Sequence, residues 1–171
     1  MSDKIKFKLG GVFKFWCYDR EGNLAWTADA GNLVVDEGLD YALDLLLGTA
    51  TKKAAWYIGI VDSEPNTSYD DTLASHPGWV EVTQYTGNRK EYTPGAVSEQ
   101  TINNMSARAQ FEITEDNVVI GGGFLTPAET GTEDILLSVA PFTVGDKIAE
   151  TGYILEVAYE FSVADIDEDL T

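Results

Sequence analysis

Apolar and polar residues alternate with a period of two along much of this chain, the spacing of strands that keep one face in a core. In the first such run, Lys4-Ile5-Lys6-Phe7-Lys8-Leu9, lysines take one face and apolar side chains the other, which predicts a half-buried or edge strand. After Gly10-Gly11, Val12 to Tyr18 leads through Asp19-Arg20-Glu21-Gly22-Asn23 into Leu24-Ala25-Trp26-Thr27. A turn-forming cluster between two aromatic runs predicts a hairpin. At Asp36 the period changes: Leu39, Ala42, Leu43, Leu46 and Leu47 recur at helical spacing behind Asp36 as N-cap, and Gly48 ends the pattern. One α-helix is therefore expected near residues 36–48, its apolar stripe covering a side or end of the sheet core and Asp40 and Asp44 facing away.

Ala54 to Val61 is a short apolar run rich in β-branched and aromatic residues, which predicts a central strand buried on both faces. Residues 62–78, with Pro65, Pro77 and several Asp, Ser and Thr, form a long loop, and a loop of that length usually has a task. Strand character returns at Trp79–Tyr85, and residues 86–100 are again loop-like, with Arg89, Lys90 and Tyr92 as an exposed polar and aromatic mixture. Ala107, Ala109, Phe111 and Ile113 alternate with polar residues, and Glu115-Asp116-Asn117 is expected to turn that strand back into Val118-Val119-Ile120. Gly121-Gly122-Gly123 suggests a bulge or a close backbone approach. Ile135–Phe142 forms another strand, and Leu155, Val157, Tyr159, Phe161 and Val163 define one face of the last. The sum is a mainly β, single-domain antiparallel β-sandwich or jelly-roll-like barrel with one α-helix, spanning residues 1–164 and followed by an acidic tail at 165–171.

The length, 171 residues, suits one domain, which at this size buries roughly 68–70% of its unfolded surface without metal or disulfide. The net charge of −18 repels phosphate backbones and anionic lipid, so neither nucleic acid nor a membrane is expected as partner. No apolar run approaches the roughly 18 residues of a membrane span, and the start at Met1-Ser2-Asp3-Lys4 does not resemble a signal peptide, so the protein is expected to stay soluble where it is made. A single Cys (Cys17) and a single His (His76) exclude an intrachain disulfide and a Cys/His zinc site. Cys17, between aromatics, reads as a small buried hydrophobe. His76, in Ser75-His76-Pro77-Gly78-Trp79, is the only base available to a Ser-His-Asp arrangement, but no Gly-x-Ser-x-Gly elbow accompanies it and a locally bonded turn histidine is the simpler expectation. Asp165, Asp167 and Asp169 alternate as in a calcium loop but lack its glycine and its closing glutamate. No cofactor, metal or catalytic residue is expected.

Charge is unevenly spread. Residues 1–20 carry a net +3, whereas residues 109–171 carry Lys147 alone against fourteen acids, a net −13. Lysines on a first strand commonly protect a sheet edge from aggregation. The sharper expectation is that Lys4, Lys6, Lys8 and Lys14 contact an acidic partner or the acidic pole of a neighbouring copy. The four Trp are expected in the core, with Trp79 beside Pro77-Gly78 partly exposed. Tyr69, Trp79, Tyr85 and Tyr92 would form a binding surface if the two long loops exposed them together.

The order of landmarks resembles a family of small virion structural proteins of tailed bacteriophages. These are Asn32-Leu33-Val34-Val35 with Gly38-Leu39, Trp56-Tyr57-Ile58-Gly59-Ile60, Ala74-Ser75-His76-Pro77-Gly78-Trp79, Tyr92-Thr93-Pro94-Gly95-Ala96-Val97-Ser98, and Gly123-Phe124-Leu125-Thr126 before the closing strand. The resemblance implies a non-enzymatic part of the virion, made in the infected bacterial cytoplasm. Its expected role is capsid decoration (cement), binding the major capsid protein and neighbouring copies of itself as a homo-oligomer on the particle. A tail- or fibre-associated module contacting a receptor or glycan is the alternative, and a hydrolase built on His76 the remote third. The motifs read as turns and core aromatics, so no catalytic residue carries over, and the basic start and acidic end match none of the family's landmarks.

Overall fold

The computed structural model describes residues 6–166, so Lys4 and the acids at 167 and 169 lie outside the described residues. Its elements are β1 (Lys6–Tyr18), β2 (Leu24–Gly31), β3 (Leu33–Val34), α1 (Asp36–Leu47), β4 (Tyr57–Val61), β5 (Glu81–Val82), β6 (Lys90–Glu91), β7 (Thr101–Asn103), β8 (Ala109–Glu112), β9 (Val118–Ile120), β10 (Gly122–Thr126), β11 (Ser138–Pro141), β12 (Lys147–Ala149) and β13 (Ile154–Ile166). The first sheet runs β2-β1-β13-β7, with β8 also on β13; the second runs β3-β11-β10-β4-β5, with β6 also on β4; β12 and β9 form a small third pair. All pairings are antiparallel and no barrel closes, so of the two expected architectures the sandwich is the one formed.

The alternation read from the sequence sorts the layers. Phe13, Phe15 and Cys17 of β1, with Leu155, Val157 and Tyr159 of β13, face Ile58, Ile60 and Leu125 of the second sheet, forming the main core. The side chains of odd parity on β4 point the other way: Val61 joins Val35, Leu73, Trp79, Phe124, Leu136 and Val139 in a second core. β4 is therefore buried on both faces, as its continuous apolar run requires. The task of the 62–78 loop is to cover that outer face, with its Leu73 and the Trp79 that follows it as plugs. Asp71 holds the cover in place, one carboxylate oxygen accepting the Trp79 indole N–H at 3.0 Å and the Ser68 backbone N–H at 2.9 Å.

Gly121-Gly122 is a close approach, as expected. There the chain leaves the small β9/β12 pair for the second sheet, and a Cβ would strike the Asp62 carbonyl at Gly121 and the Ala140 carbonyl at Gly122. The Asp19 turn also closes as expected: its carboxylate accepts the backbone N–H groups of Glu21 and Asn23, and these bonds hold its pKa below the usual value, Asn23 first.

Several expectations are corrected. β1 is not broken at Gly10-Gly11, because β13 pairs with all thirteen residues; Lys6–Leu9 keep the edge character expected of them, with β13 on one side and no strand on the other among the described residues, whereas β2 covers Val12–Tyr18. Asp36 is not the N-cap; Val35 takes that position in extended conformation because its side chain is needed in the second core, and no side chain caps the helix. The Glu115-Asp116-Asn117 turn, with Asn117 at φ 58°, makes no hairpin: β8 pairs with β13 and β9 with β12. Trp79 is the most buried tryptophan, 4% exposed, while Trp16, Trp26 and Trp56 are half-buried. Arg89 and Tyr92 are buried rather than exposed. The leucine stripe of α1 does not cover the sheet, since Gly38 is the one buried residue of the helix.

Candidate functional site

Lys8 and Lys14 lie on the outer, solvent-facing side of the first sheet. Parity assigns them: Phe13, Phe15 and Cys17 point inward, so Lys8, Lys14 and Trp16 point outward, Lys8 exposed and Lys14 half-buried. Lys6 belongs to the same strand, but its side chain, like all of Lys4, lies outside the described residues. Lys14 stands six residue steps along the strand from Lys8, about 20 Å at ~3.3 Å per residue. They form a row, not a cluster.

The two ends of the row have different surroundings. Lys14 stands opposite Asp29 of β2 and Ala158 of β13. Two residues on, the Arg108 guanidinium lies over the Trp16 ring at 3.7 Å and donates to Glu156 Oε2 at 3.1 Å, while Gln110 donates to Glu156 Oε1 at 2.9 Å. Arg108 and Glu156 were not singled out in the sequence; their alternation with Ala109 and Val157 marked them only as outward. Lys8 has another setting. β2 ends opposite Val12, and on the other side the Val163 N–H still donates to the Gln100 carbonyl just before β7, so Lys6–Lys8 and Ala164–Ile166 pair only with each other among the described residues. The first and last strands thus extend past the sheet as a two-stranded ribbon bearing Lys8.

Elsewhere, polar chemistry is committed to structure. His76 stacks on Trp79 with ring centroids 3.7 Å apart, and its Nδ1–H donates to the Trp79 carbonyl at 2.9 Å, the local bonding expected of a turn histidine. Arg89 forms a bidentate pair with Glu81, both bonds 2.7 Å, donates to the carbonyls of Ala128 and Gly131 and lies 5.3 Å from the Phe124 ring centroid. It floors a hollow of about 170 Å³ lined also by Thr83, Tyr85 and Glu129. A more open cleft of about 320 Å³ lies between Arg20, Glu21, Asp116, Glu150 and Tyr153. Among the described residues no group of three or more His, Cys, Asp and Glu is placed to hold a metal ion, and no helix is long and apolar enough to cross a membrane. Cys17 is buried, and desolvation pushes its thiol up to about 12.

The loop aromatics do not form a shared surface. Tyr69 is exposed, whereas Trp79, Tyr85 and Tyr92 point into the cores. No protein-family model matches the chain, and no curated protein or solved structure matches it significantly.

Proposed function

We propose that this chain is a non-enzymatic structural protein of a tailed-bacteriophage particle, a decoration protein that binds the outer shell and bridges major capsid subunits beside neighbouring copies of itself. One observation carries this reading: a chain of net charge −18 turns Lys8 and Lys14 outward on its first strand and extends that strand past the sheet as a ribbon. A cationic row on an anionic domain gives a docking surface orientation and register, and many weak contacts repeated over a shell add to firm attachment. The resemblance of the landmark segments to phage virion proteins points the same way. The receptor- or glycan-binding alternative has less support, because three of its four aromatics are buried.

The test is co-sedimentation with particles that lack the protein, comparing the natural chain with Lys4→Glu/Lys6→Glu/Lys8→Glu. The variant should keep its circular dichroism and melting temperature and lose about tenfold in particle affinity at low salt, with a smaller difference as salt screens the row. Equal binding of the variant would reject the lysine row as the contact. No binding of the natural chain would reject shell decoration itself.

A further inference from the structure

Helix α1 is fixed at its beginning and overhangs at its end. The Asp36 N–H donates to the Tyr69 carbonyl, Gly38 lies against the Leu137 carbonyl, and the Glu37 carboxylate accepts the backbone N–H groups of Leu73 and Leu136. One turn later Tyr41 meets Trp56 edge-on, ring centroids 5.8 Å apart, and its hydroxyl accepts the Lys53 N–H. Beyond Ala42 the fold holds little of the helix: Leu43 is 62%, Leu46 76% and Leu47 91% exposed. At spacings of three and four residues these side chains share one ridge. It continues the stripe that begins at the half-buried Leu39 and Ala42, so an apolar face that starts on the domain runs out into solvent. The helix has no side-chain N-cap and no basic residue in its last turn, where Asp44 opposes the macrodipole. Its end is closed only by the Gly48 and Thr49 backbone N–H groups, which donate to the Asp44 carbonyl and carboxylate. A helix of twelve residues depends on packing for its stability, and the exposed half has none from its own chain.

The charge beside the ridge indicates what covers it. Asp36, Asp40 and Asp44 stand four residues apart, and at ~100° per residue Asp40 and Asp44 lie about 60° and 100° around the axis from Leu43, on the side of Leu47. The surface is an apolar ridge with an acidic rail along one flank. Two copies joined ridge to ridge in antiparallel fashion would bring the two acidic rails together, and in either direction the contact would join molecules that each carry −18, so self-pairing is opposed. The complement is an apolar groove with Lys or Arg along one rim. We propose that the Leu43/Leu46/Leu47 ridge of α1 seats in such a groove on a different protein, which, resting on the function proposed above, is the capsid shell subunit. α1 begins in the layer that covers the outer face of the second sheet, whereas Lys8 and Lys14 lie on the outer face of the first. The domain then offers two separate elements with opposite contact chemistry, as a bridge between two subunits requires.

Full-length variants test this on particles lacking the protein. Leu46→Ser/Leu47→Ser should keep its melting temperature and bind at least tenfold more weakly; Leu47→Ser alone, at the most exposed position, should lose at least threefold. Asp40→Lys should weaken binding at low salt and less at high salt. Binding of both leucine variants equal to that of the natural chain would overturn the ridge as a contact while leaving decoration standing. Failure of the natural chain to bind would instead remove decoration and the shell as occupant together. A solution oligomer of the natural chain that Leu46→Ser/Leu47→Ser dissolves would make a second copy the occupant and overturn the proposal.

Discussion

Tyr159 and Tyr92 sit in the same core with opposite polar accounts. The Tyr159 hydroxyl accepts from Asn32 Nδ2 at 2.6 Å and has Ser138 Oγ at 3.4 Å, while the Tyr92 hydroxyl is buried with no protein partner among the described residues. A buried hydrogen bond contributes about 1 kcal/mol, and an unpaired hydroxyl costs about as much, so removing each oxygen should act in opposite directions. Tyr159→Phe should lower stability by about 1 kcal/mol and leave the Asn32 amide short of an acceptor, whereas Tyr92→Phe should be neutral or stabilising. Urea unfolding of the two variants checks the pair, and equal losses would show that the hydroxyls share one environment. Tyr159 was legible in the sequence as an inward position of the last strand, from alternation alone. Tyr92 was not: its neighbours Thr93, Pro94 and Gly95 signal a turn, and that signal says nothing of a side chain folded back beneath it.

Elements held by short strands rely on side chains to join them, and Arg89 is the clearest case. β5 and β6 have two residues each, yet Arg89 ties Glu81 of β5 to the carbonyls of the 128–131 loop. Breaking such a pair on one side leaves a largely buried charge, at a cost of about 3 kcal/mol, while removing both charges together costs less. Arg89→Met should therefore destabilise more than Arg89→Met/Glu81→Leu, and a double-mutant cycle in urea measures the difference; additive losses would contradict the coupling. β8, β13 and the bounds of α1 were legible because burial repeats along them, and β4 because its apolar run is continuous. β6, β7 and β12 were missed, since two or three residues paired with distant strands carry no period. The pattern on α1 showed which residues are apolar and share a face, but not whether the fold covers them. Its exposed end was the part of the candidate contact that periodicity could not locate.

At the scale of the whole molecule, burial of ionisable groups that must stay neutral sets an alkaline limit. Desolvation raises Cys17 and Tyr92 to about 12 and raises Tyr85 and Tyr159 further. A raised folded pKa contributes stability that is complete below the unfolded values, near 9 for the thiol and 10 for the phenols, and is lost as pH rises toward the folded ones. Unfolding free energy should hold steady up to about pH 9 and then fall, each group that titrates only in the unfolded chain adding about 1.4 kcal/mol per pH unit. Urea midpoints between pH 8 and pH 11 follow this directly, and a flat profile would contradict the buried placement of the four groups.

The sandwich architecture was legible from patterning, whereas the function depends on which surfaces meet a partner, and one chain holds no record of its neighbours. Decoration of a shell makes a numerical demand, since a bridge between capsid subunits must be present in numbers comparable with theirs. The deciding measurement is the number of copies per purified particle, by quantitative mass spectrometry against the major capsid protein. The account predicts a count on the scale of the capsid subunits; a handful of copies, or none, would contradict it.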